Sequence, residues 1–401
     1  MRILVADEFS RKHLEALRAL GLTVDFRPEL KAEELPDAAR DASILIVRST
    51  EVKAPVFEKA HALSLVIRAG AGVNTIDVNA ASARGVYVAN CPGQNAIAVA
   101  ELTFGLILAL DRRIVDNVVA LRNRSWRKKE FSKARGLYGR TLGLVGVGSI
   151  GAAVGRRALA FGMRVLACSR SLTPQQAREL GFEHAEGPLA AARESDVLTV
   201  HVPASPQTKT LISRQVLAAL PDGAIFINTS RADVVDQDAL FEEAKRGRLR
   251  VGLDVFADEP KGGEAVYESP LAQLPNVYGT HHIGASTDQA QDAIAEEAVR
   301  IVDRFLNRGE VPNCVNIARR TPARYQLIVR HEDRVGVLAN VLDSIRQAGI
   351  NAQEIENTVF EGASAACCKI QLDSEPPAEV LKQIRSRADE VISADLVELR
   401  G

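Results

Sequence analysis

Leu142-Gly143-Leu144-Val145-Gly146-Val147-Gly148-Ser149-Ile150-Gly151 is the stretch whose reading decides the fold. Residues 142–145 form a short apolar run, and Gly146, Gly148 and Gly151 follow it in the order G-x-G-x-x-G. In that order the first glycine permits a tight turn, the second lets backbone approach a pyrophosphate, and the third lets a helix pack closely on the strand. A helix entered through Ser149 and Ile150 offers free N–H groups and a positive dipole end to the anion. The bland alternative is a glycine-rich turn between two packed elements. Context favours the cradle: residues 152–160 continue as a small-residue helix, Phe161-Gly162 close it, and residues 163–167 supply a second strand. That is a βαβ unit.

The fingerprint expects a carboxylate about 20 positions on, to bind a ribose 2′-hydroxyl. Cys168-Ser169-Arg170-Ser171 stand there instead. Arg170 between serines suits a 2′-phosphate, or else stacks near an adenine or is solvated. The expected cofactor is therefore NAD or NADP, with the choice open.

Outward from this unit, 401 residues exceed one hydrophobic core and indicate two or three domains. A net charge of -1 argues against a generally basic nucleic-acid binder. The cysteines Cys91, Cys168, Cys314, Cys367 and Cys368 are scattered and show no C-x-x-C spacing, so neither a disulfide framework nor a metal site is expected. Residues 1–6 run straight into a strand, and no run approaches about 18 uninterrupted apolar residues. A cytoplasmic protein without membrane spans is the expectation.

In chain order, residues 3–5, 22–26, 44–47, 65–67 and 86–89 read as strands. Helical stretches alternate with them, the first capped by Ser10, and the alternation implies a parallel sheet covered on both faces. Ligands in such sheets bind beyond the strands' carboxyl ends, which singles out Arg48 and Ser49 after one strand and Gly72 and Val73 after the next. A long helix is expected over 96–121. Arg122, Arg124, Arg127, Lys128, Lys129, Lys133 and Arg135 then surround the only tryptophan, Trp126, as a solvated face or as help for a phosphorylated substrate.

Strands at 197–201, 224–228, 251–253 and 276–279 each end in polar residues. Val202-Pro203, Thr229-Ser230-Arg231, Asp254 to Glu259 and Thr280-His281-His282 thereby share the carboxyl edge with the glycine loop. Arg231, Glu259 and a histidine beside a nicotinamide suit oxidation of a hydroxyl to a carbonyl. The histidine takes the O–H proton, the carboxylate fixes its tautomer, and the arginine clamps a substrate carboxylate. Residues 318–322 read as a linker, and 325–399 as a separate βαββαβ unit.

Val47-Arg48-Ser49, Arg68-Ala69-Gly70-Ala71-Gly72-Val73, the glycine loop, Asn228-Thr229-Ser230-Arg231, Asp254-Val255-Phe256 with Glu259-Pro260, and His282-Ile283-Gly284 with Ser286-Thr287 resemble the D-isomer-specific 2-hydroxyacid dehydrogenases. The resemblance covers essentially the whole chain and is nearest to the family's phosphoglycerate-oxidising branch. It implies an α/β fold: a flavodoxin-like substrate domain over 1–95 and 285–318, a Rossmann nucleotide domain over 96–284, and a ferredoxin-like ACT domain over 323–401.

By the same resemblance Arg231, Glu259 and His282 are the catalytic residues. Arg48, Ser49, Gly72 and Val73 contact substrate, and Gly146, Gly148, Ser149, Ile150, Gly151, Ser169, Arg170, Val202, Pro203, Thr229, Ser230, Asp254 and Gly284 line the cofactor. His281 stands where the family usually has proline, and His282 is preferred because Ile283-Gly284 follow it. The implied reaction is oxidation of 3-phosphoglycerate, the first step of serine synthesis, by a homodimer or homotetramer. An NADPH-preferring glyoxylate or hydroxypyruvate reductase is the alternative, and a non-catalytic dinucleotide sensor the reading from another class. His331, Asp333 and Asn351 are expected at an amino-acid effector site of the ACT domain. There Asp333 replaces the asparagine of serine-inhibited relatives and Val335 a common proline, so the effector's identity stays open.

Overall fold

The structure, a computed structural model, describes residues 1–260, 264–318, 321–387 and 389–399. It divides into two compact units, Met1–Asn316 and Ile317–Gly401.

In the first unit, β1 (Arg2–Val5), β2 (Thr23–Phe26), β3 (Ile44–Val47), β4 (Leu65–Arg68) and β5 (Tyr87–Asn90) form a parallel sheet in the order β2-β1-β3-β4-β5. β3 is apolar at every position because helices cover both faces. One face packs Leu4, Leu45 and Val66 against Val56 and Phe57. The other packs Ile3, Val5, Ile44 and Ile46 against Leu14, Leu17, Ile294 and Ile301. Ile294 and Ile301 belong to the helix Asp288–Arg308, whose first turn is capped by the Thr287 side chain. This late segment therefore completes the first sheet's core.

The second sheet holds β6 (Thr141–Val145), β7 (Arg164–Cys168), β8 (Glu183–His184), β9 (Val197–Val200), β10 (Ile225–Asn228), β11 (Arg250–Leu253) and β12 (Val277–Gly279). All run parallel, in the order β12-β11-β10-β9-β6-β7-β8. The order reverses between β6 and β9, and such a switch point opens a crevice at the carboxyl ends. The first sheet has its own switch point between β1 and β3.

Two expectations need correction, and four helices are added. The helix expected over 96–121 is two, Ala96–Arg112 and Ile114–Arg122, broken at Arg113 with φ 49°. Apolar burial ends at Leu110, Asp111 turns to a 3.0 Å ion pair with Arg140, and the second helix buries no residue. Ser10 stands at the cap position of its helix, but its side chain accepts no capping hydrogen bond. The short helices Pro174–Glu179, Pro188–Arg193 and Arg214–Ala219 and the longer Gln237–Lys245 went unread, although Thr173 and Gln176 form a capping box at the first of them.

In the second unit, β13 (Tyr325–Glu332), β14 (Ala352–Val359), β15 (Ala365–Leu372) and β16 (Val391–Glu398) form an antiparallel sheet, β14-β15-β13-β16. The helices Val337–Gln347 and Ala378–Arg385 complete the βαββαβ order, with Val341, Ile345 and Ile384 against Leu327, Val329 and Ile370. The unit starts at Ile317, ahead of the expected 323, and Arg319 and Arg320 of the expected linker lie outside the described residues.

Candidate active site

The three glycines of the loop do different work. Gly146 has φ 97°, and a Cβ there would strike the His201 carbonyl oxygen. A Cβ at Gly151 would strike the Gly146 carbonyl oxygen, so both are required by the turn itself. A Cβ at Gly148 would meet nothing within 4 Å. Gly148 has an ordinary backbone, φ -86° and ψ -163°, so the turn does not demand glycine there. Its bare, exposed backbone is what a closely approaching ligand needs. Behind it the helix Ser149–Ala160 starts without a side-chain cap, leaving its first N–H groups directed outward. Ser149 is exposed, whereas the Ile150 side chain packs into the core. Val202 packs beside Gly146, and Pro203 is exposed on the same rim.

Beyond β7, Val147, Ser169, Ser171, Leu172, Gln176 and Glu179 line a cavity of about 390 Å³. Arg170 is exposed beside it and has no side-chain hydrogen bond or ion pair among the described residues.

Across the crevice the chain gathers charge. The Asn228 side chain, at the end of β10, organises the next turn: its Oδ1 accepts the Ser230 amide (2.9 Å) and hydroxyl (2.8 Å), and its Nδ2 donates to the Arg231 carbonyl (2.8 Å). Thr229 is buried against Thr103, with the hydroxyls 3.0 Å apart. Arg231 emerges from this turn and lies against Gly72, where a Cβ would sit 3.3 Å from its Nη2 and 2.8 Å from Asn74 Oδ1. Gly72 thus leaves room for the guanidinium. Val73 instead packs inward.

Arg68, at the end of β4, joins this group. Burial, then the positive charges of Arg231 and Arg48, hold its guanidinium below the ordinary arginine range. Its Nε is buried without a hydrogen-bond partner among the described residues. A second cavity, about 560 Å³, opens at Arg48 between Glu8, Phe9, Asp288 and Asp292. Three guanidiniums from two sheets therefore share one field.

The histidine loop is the other wall. His282 Nδ1 lies 2.7 Å from Glu259 Oε2, and since a carboxylate only accepts, Nδ1 carries the proton. Glu259 Oε1 accepts the Phe256 amide at 2.8 Å. Burial pushes the Glu259 carboxyl up, but the bonds from His282 and Phe256 and the charges of His282 and Arg231 outweigh it and hold it below the ordinary carboxylate range. His282 has φ 53°, a strained conformation fixed from beneath by Asp254. Asp254 Oδ1 accepts the Ile283 amide (2.8 Å) and the Thr280 hydroxyl (2.6 Å), and Oδ2 accepts the Gly284 amide (2.8 Å). Asp254 is buried beneath the loop in this role. His281 is exposed and forms no side-chain hydrogen bond or ion pair among the described residues.

Sequence reasoning missed Asn228, Arg68 and Asp7, whose carboxylate holds the backbone of residues 48–50. The available signal was a polar residue closing a buried apolar strand, which is where each of the three stands. The basic stretch lies elsewhere. Arg135 pairs with Asp196 at the amino end of β9 (3.1 Å), and Arg127 with Glu130 (3.5 Å), beside the 80% exposed Trp126. Arg135 thereby stands at the amino edge of the second sheet, opposite the strands' carboxyl ends.

In the second unit, His331 is buried, with Nδ1 2.8 Å from the Glu332 carbonyl oxygen and Nε2 3.2 Å from Asn357 Oδ1. Both ring nitrogens thus face oxygens of the same unit. Asp333 follows the Glu332↔Ala365 end of the sheet and Asn351 precedes the Ala352↔Leu372 end, so one copy cannot bring these two together.

The family profile described as "D-isomer specific 2-hydroxyacid dehydrogenase, NAD binding domain" matches residues 104–284. The D-3-phosphoglycerate dehydrogenase of Methanocaldococcus jannaschii is 36% identical over 358 residues, 88% of this chain and 67% of that protein. The hydroxypyruvate reductase of Thermotoga maritima is 40% identical over 279 residues, 69% of this chain and 89% of that one. Among solved structures, D-lactate dehydrogenase from Aquifex aeolicus, complexed with NAD and lactic acid, superimposes with TM-score 0.65 at 28% identity, covering 79% of this chain and 100% of that one. The chain thus spans about two thirds of the phosphoglycerate dehydrogenase it matches. With a strand-glycine-helix cradle, an arginine and a glutamate-paired histidine on one crevice, and relatives of this identity and coverage, the chain belongs to the D-isomer-specific 2-hydroxyacid dehydrogenases.

Proposed function

We propose that this chain interconverts 3-phosphoglycerate and 3-phosphohydroxypyruvate. The observation that carries the reading is the convergence of Arg48, Arg68 and Arg231. No hydrogen bond joins the Arg48 or Arg68 guanidinium to a carboxylate among the described residues. One guanidinium suffices for a substrate carboxylate, and the other two match a phosphate at the far end of the same molecule. The M. jannaschii relative supports the choice.

The glycine cradle, with Gly148 and the amides of Ser149 and Ile150, would hold the coenzyme's pyrophosphate. A coenzyme held there would supply the hydride acceptor for oxidation and the hydride donor for reduction. Arg231 clamps the substrate carboxylate and polarises the neighbouring oxygen. His282 Nε2 takes the hydroxyl proton in oxidation and donates it to the carbonyl oxygen in reduction, while Glu259 holds Nδ1–H and stabilises the imidazolium. Asp254 keeps the imidazole aimed by anchoring the loop on both sides of it. An amino-acid effector that used both Asp333 and Asn351 would take them from two copies of the C-terminal unit.

An NADPH-dependent hydroxypyruvate or glyoxylate reductase is the second reading, favoured by the T. maritima relative and by Arg170, exposed and without a side-chain partner among the described residues. The values of kcat/KM for phosphohydroxypyruvate, hydroxypyruvate and glyoxylate, each with NADH and NADPH, separate the two. A preference for either unphosphorylated acid defeats the leading reading.

A further inference from the structure

The carboxylate of Asp7 occupies a site shaped for an anion. β1 and β3 are parallel neighbours at the first sheet's switch point, and the ladder continues one step beyond β1 through the Ala6 amide to the Ile46 carbonyl, 3.0 Å. Asp7 comes next, so its side chain reaches across to the residues leaving β3. Oδ2 accepts three successive amides, those of Arg48 (2.6 Å), Ser49 (3.1 Å) and Thr50 (3.1 Å). Oδ1 accepts the Thr50 hydroxyl at 3.1 Å. Successive N–H groups converging on one point form an anion-binding nest. Here the chain fills the nest itself.

Two consequences follow. These amides are not open to substrate, so recognition at this corner falls to the Arg48 guanidinium and the Ser49 hydroxyl. The backbone from which both side chains spring is also pinned by four hydrogen bonds to a residue more than 40 positions earlier in the chain. A long arginine side chain loses less freedom on binding when its root is already fixed. Asp7 is in addition a negative charge acting on Arg68, in a corner otherwise dominated by Arg48 and Arg231.

We propose that Asp7 is a positioning residue for the substrate: by filling the 48–50 nest it sets Arg48 and Ser49 for the anionic end of the hydroxy or keto acid. The proposal rests on the reading of Arg48 as a substrate ligand. The test is a double-mutant cycle on the full chain, comparing wild type, Asp7→Asn, Arg48→Ala and the double variant, with phosphohydroxypyruvate as probe at saturating coenzyme. Coenzyme affinity is followed separately by fluorescence titration. Asp7→Asn keeps the size and leaves one amide oxygen for the three backbone N–H groups, but removes the negative charge that makes those bonds strong and places an NH₂ at the Thr50 hydroxyl.

The expected result for Asp7→Asn is a KM raised about 10-fold, with kcat within about threefold and coenzyme affinity unchanged. In the double variant the loss stays within about twofold of Arg48→Ala alone, because the two residues act through one contact. If Arg48→Ala raises KM while Asp7→Asn leaves it within twofold, or if the two losses multiply, the positioning role is overturned and the reading of Arg48 stands. If Arg48→Ala leaves KM unchanged, the reading of Arg48 falls and the proposal falls with it. Should Asp7→Asn fail to fold, Thr50→Val deletes one of the four bonds and enters the same cycle, with an expected rise in KM of about twofold to threefold.

Discussion

Glu259→Gln preserves size and an acceptor for the Phe256 amide but removes the charge that faces His282. Two unit charges about 4 Å apart interact by roughly 1 kcal/mol in water and roughly 4 kcal/mol at an effective dielectric of 20. The His282 and Glu259 side chains are 46% and 33% exposed, so solvent screening places the pair in the lower half of that span. A loss of about 2 kcal/mol of imidazolium stabilisation corresponds to roughly 30-fold in kcat/KM. The assay is the initial rate of keto-acid reduction over about pH 6 to 9, where a histidine acid acts, with coenzyme affinity measured in parallel. Because the Glu259 carboxyl is held below the ordinary carboxylate range, the contribution of the pair is fully present above that range and is lost only as pH falls through the lowered value. Protonation of Glu259 therefore does not set the acid limb of the wild-type profile. A variant within threefold of wild type, or one that has lost coenzyme binding, would refute this account of the pair.

The glycine loop makes a paired prediction. Gly151→Ala forces a Cβ onto the Gly146 carbonyl and is expected to cost about 1–3 kcal/mol of stability, read as a lowered thermal midpoint. Gly148→Ala is expected to keep the midpoint but weaken NADH binding about tenfold, because the new methyl enters space that the turn leaves open. His201 makes a prediction about pH. Burial pushes it down from 6.5 to about 3, so it stays neutral in the fold while the unfolded chain takes up a proton. Stability from this source is complete above about pH 6.5 and falls by about 1.4 kcal/mol per pH unit as pH drops towards 3. Thermal midpoints measured between about pH 4 and 6.5 should fall less steeply in His201→Gln than in wild type. Parallel slopes would show that His201 does not carry this acid sensitivity.

Much of this architecture was legible because parallel sheets write themselves as short apolar runs closed by polar residues. Residues 44–47 and 224–227 are continuous apolar runs for that reason, and Arg48 and Asn228 are the polar residues that close them. The glycine loop was equally plain, since Gly146 and Gly151 answer to steric demands that any sequence must meet. Less legible was anything decided by a side chain reaching a distant backbone. Asp254 reads as one more polar residue on the cofactor edge, yet its oxygens are committed to residues 280, 283 and 284. The preference for His282 over His281 came from the Ile283-Gly284 that follow it, and the fold adds the physical reason, the Glu259 carboxylate brought to its Nδ1. The break at Arg113 was hidden because Ile114, Val115 and Val118 continue the apolar composition while lying exposed.

The initial rate of keto-acid reduction in His282→Ala and His281→Ala, set beside wild type, tests the central claim most directly. A general acid of this kind contributes about 10²–10⁴-fold. The account predicts a loss of that order in His282→Ala, with coenzyme still bound, and a rate within about threefold of wild type in His281→Ala. Full turnover in His282→Ala, or its collapse in His281→Ala alone, would contradict the assignment of the proton to the histidine that Glu259 holds.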